Sequence, residues 1–212
     1  MIKLTPRLSA AAQLVRQGCV LADIGCDHGF LPVYLLQTGK IKGAVASDVN
    51  EGPLRSCQLL VKECGFENKV KCVLSNGLEG ISESDCSDIS ICGMGAELIV
   101  NILSSCSWVE NKEKHFIFNP MTHSEILRRY LCENGFEIQN DIIVKDGNRC
   151  YNVFDAYYTG NIIKRSKAYY YLGEIKSFEH KEYFYHLLNY LENKEKGGAD
   201  NKEIICAIKN LL

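Results

Sequence analysis

The stretch Val20-Leu-Ala-Asp-Ile-Gly-Cys-Asp-His-Gly-Phe-Leu-Pro-Val-Tyr34 decides how the rest of the chain is read. An apolar run ends in an acid, a glycine and a turn, and a helical pattern starts directly after it. That order predicts a strand, a tight loop and a helix. Asp23 stands at the carboxyl end of the strand and Gly25 opens the loop. A missing Cβ lets backbone approach a ligand closely and take φ > 0. The following helix points its N-terminal N–H groups into the same space. In an open α/β sheet the ligand crevice lies outside the carboxyl ends of the strands at the switch point. The candidate site is therefore placed here.

Working outward, Thr5 followed by Pro6 gives an N-cap and a proline at the first helical position, so a helix is predicted over 6–17 with Gly18 as terminator. Downstream, a helix over 30–37 stops at Gly39 and a strand over 42–47 ends in Asp48. An acid about 20 residues past a glycine loop is where a ribose is held by its hydroxyls. A helix over 53–64 closes at Gly65, and a strand over 70–74 runs into Ser75-Asn76-Gly77. A strand over 88–92 runs into Gly93-Met94-Gly95, which opens a helix to about Leu103. A strand over 115–118 runs into Asn119-Pro120, and a helix over 124–134 is capped by Gly135. Five strand-then-helix units predict a parallel, doubly wound sheet.

The pattern then changes. Residues 136–144 and 150–158 are β-branched or aromatic runs joined by Asp146-Gly147-Asn148, the mark of a β-hairpin. An antiparallel hairpin added to five parallel strands gives the Rossmann-like seven-stranded sheet of class I methyltransferases. From Asn161 strand signals stop and helical spacing takes over. Phe184, Leu188 and Leu191 share a face from Glu179 to about Lys196. Leu172 and Ile175 precede them, and Ile204, Ile208 and Leu211 follow a Gly197-Gly198 break. The expected division is residues 1–160 as the ligand-binding α/β domain and 161–212 as a small tail of two or three helices.

Composition limits the function classes. The 212 residues are 46% hydrophobic and 24% charged with a formal charge of −2, a globular rather than a disordered balance. Eleven cysteines are an odd number, without a CxxC pair, and several lie in apolar runs (Cys19, Cys72, Cys92). Reduced, mostly buried thiols are expected, not a disulfide framework or a zinc site. No apolar run approaches the ~20 residues of a membrane span, and no signal-peptide core is present, so the expectation is a cytoplasmic protein without membrane contact. Residues 161–212 hold nine Lys/Arg against seven Asp/Glu and the remainder fifteen against nineteen, a bias that favours a polyanion partner for the tail.

The loop Asp23-Ile-Gly-Cys-Asp-His-Gly29 fits the form acid-x-Gly-x-Gly-x-Gly at Asp23, Gly25 and Gly29, with Asp27 in place of the middle glycine. With Asp48, Asn76-Gly77 and the hairpin, it points to S-adenosylmethionine as cofactor. Asp48 is expected at the ribose hydroxyls, Asn76 at the adenine edge, Gly25 under the methionine portion, and Asp23 or Asp27 at the ammonium.

Several segments resemble the bacterial TrmK-type tRNA adenine-22 N1-methyltransferases: Leu21 to Pro32, Ser75-Asn-Gly-Leu78, Cys92-Gly-Met-Gly95, Pro6-Arg7-Leu8 and Glu133-Asn-Gly-Phe136. The resemblance covers the whole chain. It implies a methyltransferase domain with a coiled-coil-like C-terminal domain, both used to hold tRNA, and Arg7, Asp23, Gly25, Asp27, His28, Asp48, Asn76, Gly77 and Gly93 as cofactor-pocket positions. The chain departs from the family's Gln-Pro-Asn-like turn, carrying Asn119-Pro120-Met121-Thr122 there. Asp27 is a candidate to stabilise charge on the methylated ring or to hold only the cofactor, and His28 a cofactor-contacting residue. Asn119 and Pro120 are candidates to bind the target base. Lys164, Arg165 and Lys167 are candidate phosphate contacts, while the tail aromatics, Phe178 and Tyr190 among them, are expected mainly to seal the helices. No metal is expected, and a monomer is favoured over an obligate oligomer. The competing readings are a methyltransferase acting on a small molecule or protein, and a catalytically idle tRNA-binding module.

Overall fold

The structure is a computed structural model that describes residues 1–174, 180–198 and 200–212. Strands β1 (Val20–Ile24), β2 (Gly43–Asp48), β3 (Val70–Leu74), β4 (Asp88–Met94), β5 (His115–Pro120), β6 (Phe136–Asp146) and β7 (Arg149–Tyr158) form one sheet, ordered β3-β2-β1-β4-β5-β7-β6. The first five are parallel, and β7 runs antiparallel between β5 and β6. Strand order reverses between β1 and β4, which sets the switch point beside Asp23. The seven-stranded Rossmann-like architecture expected from the sequence is thus the observed one.

The helices are α1 (Pro6–Leu14), α2 (Phe30–Gln37), α3 (Glu51–Glu63), α4 (Ala96–Ser104), α5 (Ser124–Glu133), α6 (Lys167–Leu172), α7 (Lys181–Lys196) and α8 (Lys202–Leu211). One face of the sheet packs α1, α2 and α3 around Leu21, Val33, Leu35, Cys57 and Ile117. The other packs α4 and α5 around Ile89, Ile99, Phe116, Phe118, Leu131 and Phe154. In β5, Ile117 points one way and Phe116 and Phe118 the other, the two-residue period of a pleat. Both faces are covered, so the parallel strands read as continuous apolar runs.

Three boundaries depart from expectation, two of them through a long-range contact. α1 ends at Leu14, not at 17, because Val15 turns extended and buries its side chain. Arg16 then donates its backbone N–H to Asp88 Oδ2 (2.8 Å) instead of to the helix. α3 begins at Glu51, two residues before the expected 53, with Pro53 inside its first turn. β5 runs on through Asn119 and Pro120, because a bulge at Gly93 (φ 84°) lets Met94 pair with Pro120. The hairpin strands also meet closer than expected, since Asp146 pairs with Arg149 across a two-residue turn whose first residue, Gly147, has φ 61°.

α6, α7 and α8 share a core of Leu172, Phe184, Leu191, Ile204, Ile205 and Ile208, with Ile143 of β6 packed against it. Buried Arg128 of α5 joins this tail to the sheet. It donates to both oxygens of Asp141 (2.8 and 3.0 Å) and to the carbonyl of Tyr170 (3.1 Å). Ile175, Phe178 and Glu179, expected in the tail, lie outside the described residues, as does the side chain of Leu211. All eleven cysteines are free thiols, and of these Cys206 alone is exposed. Among the described residues no helix is long and apolar enough to cross a membrane.

Candidate active site at the carboxyl ends of β1, β2 and β4

The loop after β1 is fixed to β2 by two backbone bonds: Gly25 N and Cys26 N both donate to the carbonyl of Ser47 (2.9 and 2.8 Å). That pair brings Asp23 and Asp48 to the same end of the sheet. Gly25 has φ 71°, and a Cβ there would stand 2.2 Å from Met94 Cε. Asp27 has φ 50°, so it takes the left-handed conformation that glycine supplies in the three-glycine form of this loop. The cost for a non-glycine residue is about 1–2 kcal/mol, and the loop keeps its shape.

Burial is the main reason that the Asp23 carboxyl is pushed up to about 6, with nearby Asp48 adding and a hydrogen bond from Ser90 Oγ (2.6 Å) opposing. Asp48 accepts from Asn50 N at Oδ1 (2.9 Å) and from Asp27 N at Oδ2 (3.3 Å), which leaves a further lone pair on each oxygen. Arg7 reaches over from α1. Its Nε donates to Asp146 Oδ2 (3.1 Å), its Nη1 to Met121 Sδ (3.0 Å), and its guanidinium lies 5.5 Å from the Tyr151 ring centroid. Arg7, Asp23, Gly25, Asp27 and Gly93 line one cavity of about 340 Å³ with Leu8, Cys26, Phe30, Leu31, Cys92 and Met121. Burial holds the Cys92 thiol well above its ordinary range, which keeps this wall of the cavity protonated.

The remaining candidates lie around this cavity. His28 is half-exposed beside the Asp27 carboxylate (3.5 Å) and the Phe30 ring (5.4 Å). Asn76 lines a separate cavity of about 660 Å³ between its own loop and α4, with its amide donating to Glu79 (2.9 Å). Ser75 N donates to the Asp48 carbonyl (2.9 Å), so Asn76 and Gly77 stand next to Asp48 although they do not share the Asp23 cavity. Asn119 is buried; its Nδ2 donates to the Asn152 carbonyl (2.9 Å) and its Oδ1 has no partner. Pro120 lines a third cavity. Lys164 and Arg165 are exposed, the latter 5.0 Å from the Tyr169 ring. The Lys167 ammonium is engaged inside the tail by the Asp200 carbonyl and Asn201 Oδ1. Ser90, Met121, Asp146 and Tyr151 were not anticipated. Asp146 is 139 residues from the Arg7 it holds, and no local pattern links them.

The donor set suits an amino-acid-bearing nucleoside. A buried acid without an ion-pair partner complements an ammonium, a pinned arginine complements a carboxylate, and a half-satisfied carboxylate accepts from a ribose diol. Together with the sheet order, these features define a class I methyltransferase. The family model described as "Methyltransferase domain" matches residues 4–154. The chain is 31% identical over 155 residues to the tRNA (adenine(22)-N(1))-methyltransferase of Bacillus subtilis, covering 73% of this chain and 65% of that one, so the match spans just under two thirds of the relative. A Streptococcus pneumoniae protein solved in complex with S-adenosyl-L-methionine superposes with a TM-score of 0.89 at 30% identity, covering 99% of this chain and 100% of that one. Mycoplasma capricolum TrmK, solved with S-adenosyl-homocysteine, gives a TM-score of 0.75 at 25% identity over 98% of this chain and 93% of that one. The chain belongs to the methyltransferase-domain family, in its TrmK-type branch.

Proposed function

We propose that this chain transfers a methyl group from S-adenosyl-L-methionine to N1 of adenine 22 in tRNA. The observation that carries the reading is the buried, cation-free Asp23 facing Arg7 across one cavity, with Asp48 alongside. When bound, S-adenosylmethionine supplies an electrophilic methyl group on a sulfonium. Asp23 then receives the ammonium, Arg7 faces the carboxylate and Asp48 accepts from the ribose hydroxyls. Asn76 and Gly77 border the adenine end, while Gly25 and Gly93 let backbone approach, and His28 flanks the loop.

Adenine N1 already carries a lone pair, so attack needs no prior proton removal and no general base. Methylation leaves positive charge on the ring. The exposed Asp27 carboxylate lines the cavity, and in this reading it opposes that charge in the transition state. Asn119 is buried beside Pro120 and oriented by its bond to Asn152, and in this reading its unpartnered carbonyl oxygen accepts from the exocyclic amine when the base displaces what covers it. In this reading residues 1–160 perform the chemistry and 161–212 hold RNA, with exposed Lys164 and Arg165 as phosphate contacts. Lys167 acts indirectly by fixing the start of α8. The protein works in the cytoplasm, as a monomer and without a metal.

Incubation with labelled cofactor and bulk bacterial tRNA tests the reading. Label recovered as 1-methyladenosine is the expected result. Binding of both ligands without transfer would indicate an idle module, and label found only in other extracts would indicate a small-molecule or protein methyltransferase.

A further inference from the structure

The cavity of about 370 Å³ between the β5–α5 loop, the start of β7 and α7 shares only Pro120 and Asn152 with the scheme above. We infer that it seats a second nucleobase of the RNA, the immediate neighbour of the methylated adenine, with tail helix α7 as its stacking wall. The inference rests on the tRNA reading given above.

Adjacency is the first argument. Met121 lines both this cavity and the one containing Asp23, so the two open side by side at the same end of the sheet. A strand threading one base toward Asp27 brings the next base to the other side of Met121.

The walls are the second argument. Tyr151 comes from β7 and Tyr183 and Tyr190 from α7, so rings from two parts of the chain face one space. Every base has a π-face, and aromatic stacking is the sequence-tolerant way to hold one. Phe184 is buried in the tail core, whereas Tyr190 stands off that core and is 37% exposed. Sealing the helices therefore does not account for Tyr190. The Lys194 ammonium lies 4.8 Å from the Tyr190 ring centroid, which puts a cation at the rim where the nucleotide's phosphate would pass.

The floor is the third argument. Tyr183 Oη and Ser124 Oγ both donate to Asn152 Oδ1 (2.9 and 3.1 Å), and the Asn152 carbonyl accepts from Asn119 Nδ2 (2.9 Å). The plate beneath the cavity is thus the same hydrogen-bonded unit that orients Asn119. A base seated on it is registered against the residue assigned to the target adenine.

The test uses the full chain and two substrate tRNAs, each with 2-aminopurine replacing one neighbour of the target. One of the two should lose fluorescence on binding wild type and Tyr190→Phe, and keep it with Tyr190→Ala. Tyr190→Ala should raise the KM for unmodified tRNA about five- to tenfold, the effect of one lost stack, with the dissociation constant for S-adenosylmethionine unchanged. Quenching of neither RNA, or equal quenching by Tyr190→Ala, overturns the assignment. Because fluorescence reports binding and not transfer, an RNA that is bound and quenched yet never methylated would sink the adenine-N1 reading and leave this pocket standing.

Discussion

Asp23 and Asp88 are buried acids on the neighbouring strands β1 and β4, one at the carboxyl ends and the other at the amino ends, and their surroundings drive them in opposite directions. Asp88 accepts from Arg16 N (2.8 Å), Arg16 Nε (2.7 Å) and His115 Nδ1 (3.2 Å). Burial alone would raise its carboxyl, but these bonds outweigh burial and hold it below the ordinary range. His115 Nε2 also meets Asp155 (2.8 Å). Burial disfavours the imidazolium, yet the two carboxylates overcome it and lift His115 to about 9. Asp23 has only the Ser90 hydroxyl and rises to about 6. The same sheet thus carries a buried acid matched by cations at its amino end and a buried acid without an ion-pair partner at its carboxyl end. The first arrangement serves the fold, the second serves a ligand.

The contrast is broken most strongly at the matched end. His115→Ala leaves Asp155 buried without a cation, and removing one partner of a buried pair costs about 3–5 kcal/mol. Denaturant unfolding should register that loss, with cofactor affinity of the folded protein unchanged. The sign of the pH dependence follows from the raised folded value. The stabilisation is complete below about 6.5, the imidazole's unperturbed value, and is lost as pH climbs through about 9. A wild-type melting temperature that rises over this window would refute the charged triad.

At the unmatched end, Asp48→Ala removes a charge-assisted hydrogen bond worth about 1.5–3 kcal/mol. Calorimetry should show cofactor affinity reduced roughly tenfold or more, and an unchanged value would remove Asp48 from the pocket. Asp23→Asn should act in two opposite ways. A carboxyl raised to about 6 favours the folded state only while protonated, so near neutral pH its replacement should stabilise the ligand-free protein. The gain is on the order of 2 kcal/mol, and cofactor binding should weaken at the same time. Wild-type affinity should also fall as pH drops through about 6, and this dependence should vanish in the Asn variant. The smallest effect is expected from Ser90→Ala. Losing the 2.6 Å bond moves the Asp23 midpoint, and with it the pH profile of cofactor binding, upward by about one unit or less.

Elements set by local pattern were legible in the sequence. The helix Phe30–Gln37 and the strands Val70–Leu74 and Val20–Ile24 lie at the positions that caps, glycines and apolar runs indicate. Boundaries set by distant groups were not. Nothing near Val15 announces that Arg16 is claimed by Asp88, 72 residues away. The site divides in the same way. Asp23, Gly25, Asp27 and Gly93 line one cavity because loop chemistry is local, while the groups that hold Arg7 arrive from the hairpin. Asp88 and His115 begin their strands and so read as ordinary solvated ends; only the register that aligns them reveals the buried triad. Lys167 likewise reads as a surface cation, because its partners on the far side of the tail are 33 and 34 residues away.

β7 occupies an interior slot of the sheet although it is the last strand made. β6, translated earlier, pairs with β7 alone, so it has no place to dock until its partner exists. A nascent chain that has already folded β1 to β5 therefore has the β5 edge open until residues 154–157 of β7 are added. That edge reads His115-Phe-Ile-Phe118, rich in β-forming side chains, the kind of unpaired strand that recruits other chains. A ribosomal pause anywhere in the β6–β7 hairpin would prolong its exposure.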